Sequence, residues 1–157
     1  MGIRVLFLYP NTYGMNMLPP AIALFAALIK KNGHKSEIFD TTYYNLDHGI
    51  DSDGSKMERL NVVPYKMEEK GIKQKTSDWK KDLNDQVKKF KPNLIAISST
   101  EDMWELGMKA LNELKTYKEK NKVPVIVGGV FATFAPEICI KEDLVDMVCV
   151  GEGENAL

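Results

Sequence analysis

Five short runs constrain the fold of this chain: Val5 to Tyr9, Lys35 to Phe39, Leu94 to Ser98, Val123 to Val127 and Met147 to Val150. Each is strand-sized, and each is closed by Pro10, Asp40, Ser99 or a glycine pair or turn. The first and third are continuously apolar, as in strands buried on both faces, and such strands belong to parallel sheets. Helical segments separate them. Pro19 and Pro20 suit a helix's first turn, Ala21 to Lys31 carries it on, and Asn32-Gly33 supplies a left-handed end. Ser77-Asp78 caps a second helix in which Trp79, Leu83, Val87 and Phe90 recur at helical spacing, stopped by Lys91-Pro92-Asn93. Trp104 to Lys120 reads as one long amphipathic helix, with Leu106, Ala110, Leu111, Leu114 and Tyr117 on its apolar face. A short helix is expected around Pro136 to Lys141.

Strands alternating with helices predict a parallel sheet covered on both faces. Right-handed crossovers then gather the C-terminal ends of all strands on one edge, where open α/β sheets bind ligands. Residues 10–19, 40–45, 98–103, 128–135 and 151–154 form the loops of that edge. Residues 44–77 break the pattern and read as an irregular insertion with one short helix near Met57. Connections are ordinarily about 4–6 residues, so a segment of this length is functional or mobile. Over residues 41–80 its seven basic and seven acidic side chains balance, so it is no interaction tail of one sign.

Composition narrows the functions. With 157 residues, 44% of them hydrophobic and 27% charged, the chain is sized for one globular domain. Its 21 Lys and Arg nearly cancel 22 Asp and Glu, so the basic excess of a nucleic-acid binder is missing. The longest apolar run, Ala21 to Ile29, is too short for a membrane span. No signal peptide is expected, and two cysteines make no disulfide framework; a cytoplasmic protein is expected.

At the ligand edge Ser98, Ser99 and Thr100 bring three hydroxyls to the end of the third strand. Gly128-Gly129 after the fourth lets backbone approach a ligand with no Cβ between. Each also has a plain structural reading, a helix cap for the hydroxyls and a tight turn for the glycines. Cys149, between Val148 and Val150, and Cys139, between Ile138 and Ile140, are expected as buried apolar thiols. His34 follows a helix end and suits a surface role there; His48 lies in the irregular insertion. Glu152 and Glu154 suit the start of a following helix, with ligand contact through the Gly151 backbone compatible with that role. Met103 and Trp104 suit either the core or a ligand face. The Lys88-Lys89 and Lys118 to Lys122 faces are expected to be solvated.

Spacing adds a resemblance. Ser98-x-Thr100, 27 intervening residues and Gly128-Gly129 resemble part of the cobalamin-binding motif. That motif also has D-x-H-x-x-G after the second strand, and this chain has Asp40-Thr41-Thr42-Tyr43-Tyr44-Asn45, with Thr42 in place of the cobalt-ligating histidine. A threonine hydroxyl is a poor donor to cobalt, so histidine ligation from this position is excluded. The opening V-L-F-L-Y-P-N with Leu18-Pro19-Pro20, the segment Val127 to Thr133 with Pro136-Glu137, and Asp146 through Gly151-Glu152-Gly153-Glu154 resemble the N-terminal B12-binding domain of cobalamin-dependent radical SAM enzymes.

The resemblance implies a flavodoxin-like, Rossmann-like doubly wound domain over residues 1–157, strand order 2-1-3-4-5, with cobalamin as its partner. Ser98, Ser99, Thr100, Gly128 and Gly129 would face the nucleotide tail, and Asn11, Thr12, Thr133, Gly151 and Glu152 would line the same crevice. No residue is implied as catalytic or as a metal ligand. The C-x-x-x-C-x-x-C motif for a [4Fe–4S] cluster is missing, since Cys139 and Cys149 lie ten positions apart, so S-adenosylmethionine and the cluster belong to an absent radical SAM domain of a methyltransferase-type enzyme. Rivals are a flavodoxin-like module for FMN or a dinucleotide and a receiver-type signalling domain. Asn11-Thr12-Tyr13-Gly14 offers one hydroxyl and no G-x-G-x-x-G, and neither Tyr9-Pro10-Asn11 nor Ser98-Ser99-Thr100 has a receiver's acidic residues. The chain stops at Leu157 where a last helix should begin, and the uncovered apolar face is expected to self-associate or leave the C-terminus mobile.

Overall fold

The structure, a computed structural model, describes residues 2–12, 19–44, 46 and 67–156. The helix expected near Met57, Gly14, Leu18, Asn45 and His48 lie outside the described residues.

Strands β1 (Arg4–Tyr9), β2 (Lys35–Asp40), β3 (Leu94–Ser98), β4 (Val125–Gly128) and β5 (Met147–Val148) form one parallel sheet in the order β2-β1-β3-β4-β5. This is the expected flavodoxin-like order, and every strand points its C-terminal end to the same edge. Helix α1 (Pro20–Lys31) starts at tandem prolines, whose missing N–H groups cost nothing in a first turn, and ends before Gly33 at φ 77°. Helix α2 (Trp79–Phe90) is capped by Asp78, whose carboxylate accepts from the Lys80 N–H at 2.9 Å, and stops at left-handed Lys91.

Period-two alternation divides the core between the two sheet faces. Val5, Phe7 and Ala96 join Ile22 and Ile29 of α1 on one side, with Phe25 and Ile126 packed against them. Leu6, Leu8, Ile95, Ile97, Val125 and Val127 face the other side, with Leu83 and Val87 of α2 and the apolar stripe that follows β3. Among the described residues α1 is the helix whose buried side chains lie on the first face.

Three expectations are corrected. The long helix is two, α3 (Trp104–Glu113) and α4 (Lys115–Asn121), because the Leu114 N–H turns back to Leu111 O at 3.0 Å in a tight three-residue step that seats the Leu114 side chain in the core. The loop 128–135 contains helix α5 (Val130–Phe134), followed by α6 (Pro136–Cys139) in place of the longer helix expected to Lys141. Strand β5 is shorter than Met147 to Val150, since the chain leaves the ladder after the Cys149 N–H bonds Val127 O and then turns at Gly151 with φ 80°.

Lys118 also differs from a solvated lysine. It pairs with Asp146 at 2.9 Å with only 14% of its side chain exposed, and the same carboxylate accepts the Val125 N–H at 2.7 Å.

Candidate functional site

The alternation that fills the α1 face also points Ser98 and Gly128 to it, because Ser98 follows Ala96 and Gly128 follows Ile126 by two residues. The two are register partners across β3 and β4. At this end of the sheet large side chains give way to a hydroxyl and a hydrogen atom. The result is a cavity of about 320 Å³ between α1 and the sheet. Its floor is Phe7, Ala96, Ile126 and Gly128, its α1 wall Ala21 and Phe25, and its far wall Cys149 with Gly151 to Gly153. Val130, Thr133 and Phe134 of α5 stand at its mouth.

The loops around it are tied to each other through backbone. Gly129 has φ 92°, and a Cβ there would stand 3.0 Å from Ser98 Oγ and from the Ser99 backbone N and O. Only glycine fits that approach. The Ser99 N–H donates to Gly128 O at 3.3 Å, and Ser99 O accepts from the Phe131 N–H at 3.2 Å. Thr133 Oγ1 donates to Gly129 O at 3.0 Å and accepts the Gly151 N–H at 3.2 Å, so one side chain joins the loop after β4 to the loop after β5. Gly153 lies against α1, where an added Cβ would come within 2.8 Å of Phe25 Cζ. Gly128 and Gly151 are open by contrast: a Cβ would meet Cys149 Cβ at 3.8 Å in the first and nothing within 4 Å in the second.

Of the residues expected at the site, Ser98, Gly128, Gly129, Thr133, Gly151 and Glu152 come together on this cavity. Ser99 and Thr100 do not line it; the Ser99 hydroxyl donates to Thr100 O at 2.8 Å. Thr100 Oγ1 and Glu154 Oε2 are buried with no hydrogen-bond partner among the described residues, so the strand-end edge carries polar capacity that the fold itself leaves unused. Residues 154–156 form a turn closed by the Ala156 N–H on Gly153 O at 3.0 Å.

Asn11 and Thr12 are buried at the ends of β1 and β2 and do not line the cavity. The Asn11 N–H donates to Thr41 Oγ1 at 2.8 Å, and Thr41 Oγ1 donates to Asn11 O at 2.7 Å. Asn11 Nδ2 donates to Thr42 Oγ1 at 2.9 Å, and Thr42 donates both its backbone N–H and its hydroxyl to Asp40 Oδ1. Burial, then the Asp40 carboxylate, push the neighbouring Tyr9 phenol above its ordinary value. Thr42 therefore braces two strand ends.

The apolar walls went unread in the sequence, although period two from Gly128 back to Ile126, and i to i+4 from Ala21 to Phe25 and Val130 to Phe134, mark them. Cys149 is half-buried on the cavity wall, not in the core as expected, because the strand ends beneath it; Cys139 is fully buried, and desolvation pushes its thiol up. Trp104 packs on Phe131 with ring centroids 5.2 Å apart, and Met103 is buried. His34 accepts the Ile3 N–H on Nδ1 at 3.3 Å. Among the described residues no group of three or more His, Cys, Asp or Glu side chains is placed to hold a metal, and no helix is long and apolar enough to cross a membrane.

Comparison with known proteins gives the chain a family. No curated protein sequence matches the chain. Among the solved structures that share the fold are two of the radical S-adenosylmethionine methyltransferase TsrM from Kitasatospora setae. One, with tryptophan substrate and the SAM analogue aza-SAM bound, is 16% identical with a TM-score of 0.55, covering 85% of this chain and 20% of that one. The other, with cobalamin and a [4Fe–4S] cluster bound, is 17% identical with a TM-score of 0.55, covering 87% of this chain and 21% of that one. The chain thus spans about a fifth of the length of these structures. The model of the B12 binding domain matches residues 60–157, well over half of the chain and the part that supplies Ser98, the glycine pair and the Gly151 turn, so the chain belongs to the B12-binding domain family.

Proposed function

We propose that this domain holds a cobalamin over the C-terminal edge of its sheet, with the nucleotide tail in the cavity beside Gly128 and with no side chain of this chain ligating the cobalt. The cavity carries the reading. Its volume of about 320 Å³ suits a bicyclic base and its sugar, and it opens where Gly128 and Gly151 leave backbone bare. Ser98 and the exposed backbone of the two glycine turns would hold the tail, and the Thr133 bonds keep those turns in register.

The Asp40-x-Thr42 segment supports binding without a protein ligand. Its hydroxyl is engaged by Asp40 and Asn11, and a neutral hydroxyl is a poor cobalt donor. A bound corrinoid supplies a cobalt centre suited to methyl-group chemistry, while the domain's own residues orient it and keep water from its tail. The likeness to a radical SAM methyltransferase, and the exposed apolar residues Val130 and Phe134 at the cavity mouth, support a further step. In it the domain presents the corrinoid to a radical SAM domain that carries the [4Fe–4S] cluster and S-adenosylmethionine.

The test is to mix the purified chain with hydroxocobalamin, desalt, and record the visible spectrum. Stoichiometric corrinoid in the protein fraction is expected. A colourless protein fraction overturns the reading.

A further inference from the structure

We infer that the cavity selects among corrinoids by their lower base, taking an apolar benzimidazole-type base and rejecting a purine. The inference rests on the placement of the tail proposed above and deepens it.

The floor and α1 wall carry Phe7, Ala96 and Ile97, all buried, and Phe25 and Ile126, partly buried, and none of these side chains offers a hydrogen bond. Of the polar side chains on the lining, Thr133 Oγ1 already donates to Gly129 O and accepts the Gly151 N–H. Glu152 is exposed, at the open side. The Ser98 hydroxyl remains, half-buried beside Gly129 and without a side-chain hydrogen bond among the described residues, and the Cys149 thiol is a weak donor at best.

A dimethylbenzimidazole detached from cobalt has one free ring nitrogen, an acceptor that a single hydroxyl satisfies, and its two methyl groups match the aromatic and aliphatic floor. An adenine base at the same place brings further ring nitrogens and an exocyclic amine with two donors. The apolar side chains of the floor and the α1 wall offer these no partners, and a buried polar group left without one weakens binding by tenfold or more, roughly.

Equilibrium dialysis of the full chain against three hydroxo- or aquo-corrinoids, read by visible absorbance, tests this. The probes are cobalamin, the adenine-containing cobamide and cobinamide, which lacks the nucleotide. The expected order of affinity is cobalamin first, the adenine cobamide at least about tenfold weaker, and cobinamide weaker than cobalamin by as much or more. Equal binding of cobalamin and the adenine cobamide, both tighter than cobinamide, overturns the selectivity and leaves the tail placement standing. Cobinamide binding as tightly as cobalamin, or retention of none of the three, overturns the placement and the selectivity with it.

Discussion

Asn11 donates from Nδ2 to the Thr42 hydroxyl at 2.9 Å, and that hydroxyl in turn donates to Asp40, so a threonine joins the ends of β1 and β2 at the position where the cobalamin motif has its ligating histidine. The side chain that a ligand position would aim outward is here turned inward and buried. A residue so placed contributes to the fold, and its removal should register as stability.

Thr42→Val keeps the shape and deletes the hydroxyl, leaving Asn11 Nδ2 without its acceptor. It should lower unfolding free energy by about 1–3 kcal/mol, while Thr42→Ser stays close to wild type. Urea denaturation followed by circular dichroism measures both; equal midpoints for Val and Ser would show that the bridge contributes nothing.

The glycine pair separates fold from binding. Gly129→Ala forces a Cβ to 3.0 Å from the Ser99 backbone at a positive φ, and should destabilise by about 1–3 kcal/mol. At Gly128 an added Cβ makes only an ordinary contact with Cys149 Cβ at 3.8 Å, so in Gly128→Val the melting temperature should hold within a few degrees while cobalamin retention after desalting is lost. Retention unchanged in a folded Gly128→Val protein removes the cavity from the proposed site.

Tyr44 titrates against the fold. Its hydroxyl donates to Asp82 at 3.0 Å and accepts from Lys75 at 3.2 Å, and burial, then the Asp82 hydrogen bond and charge, raise its pKa above the ordinary 10.0. A raised folded value means stability that is complete below about pH 10 and falls as pH climbs through the folded value. Tyr44→Phe should cost about 1 kcal/mol at neutral pH and show a shallower loss between about pH 9 and 11. Urea midpoints across that range decide it, and parallel slopes for the two proteins would contradict the assignment.

On the acid side, Asp82 is held below its ordinary value by hydrogen bonds from Ser77, first, and then Tyr44. A depressed folded value means stability present above the unfolded pKa and lost as pH falls through the folded one. Asp82→Asn should flatten the loss of stability below about pH 4; a slope identical to wild type would assign that loss to other carboxylates.

Phe134 is 83% exposed and Val130 61%, one turn apart on α5. Without a partner over this patch the chain should self-associate at tens of micromolar, and Val130→Glu with Phe134→Glu should return it to a monomer. Light scattering coupled to gel filtration reads the mass; a monomeric wild type rules the patch out as a self-association surface.

The fold was legible in the sequence where local chemistry is decisive. The apolar runs ended by Pro10, Asp40 and Ser99, the prolines at α1 and the Asp78 cap each act over a few residues, and parallel crossovers allow few arrangements of such pieces. The β2-β1-β3-β4-β5 order and the meeting of Ser98, Gly128, Gly129, Thr133 and Gly151 at one edge followed from that. Tertiary structure decided the rest. Whether Leu114 continues a helix depends on the core it enters, and whether Cys149 is buried depends on what lies across the sheet from it. That Asn11 and Thr42 bond each other is known only once the ends of β1 and β2 are brought within hydrogen-bond distance. The cavity wall is set by which face of the sheet Phe7 and Ile126 share with α1, and a side chain's face is known only once its strand has its neighbours.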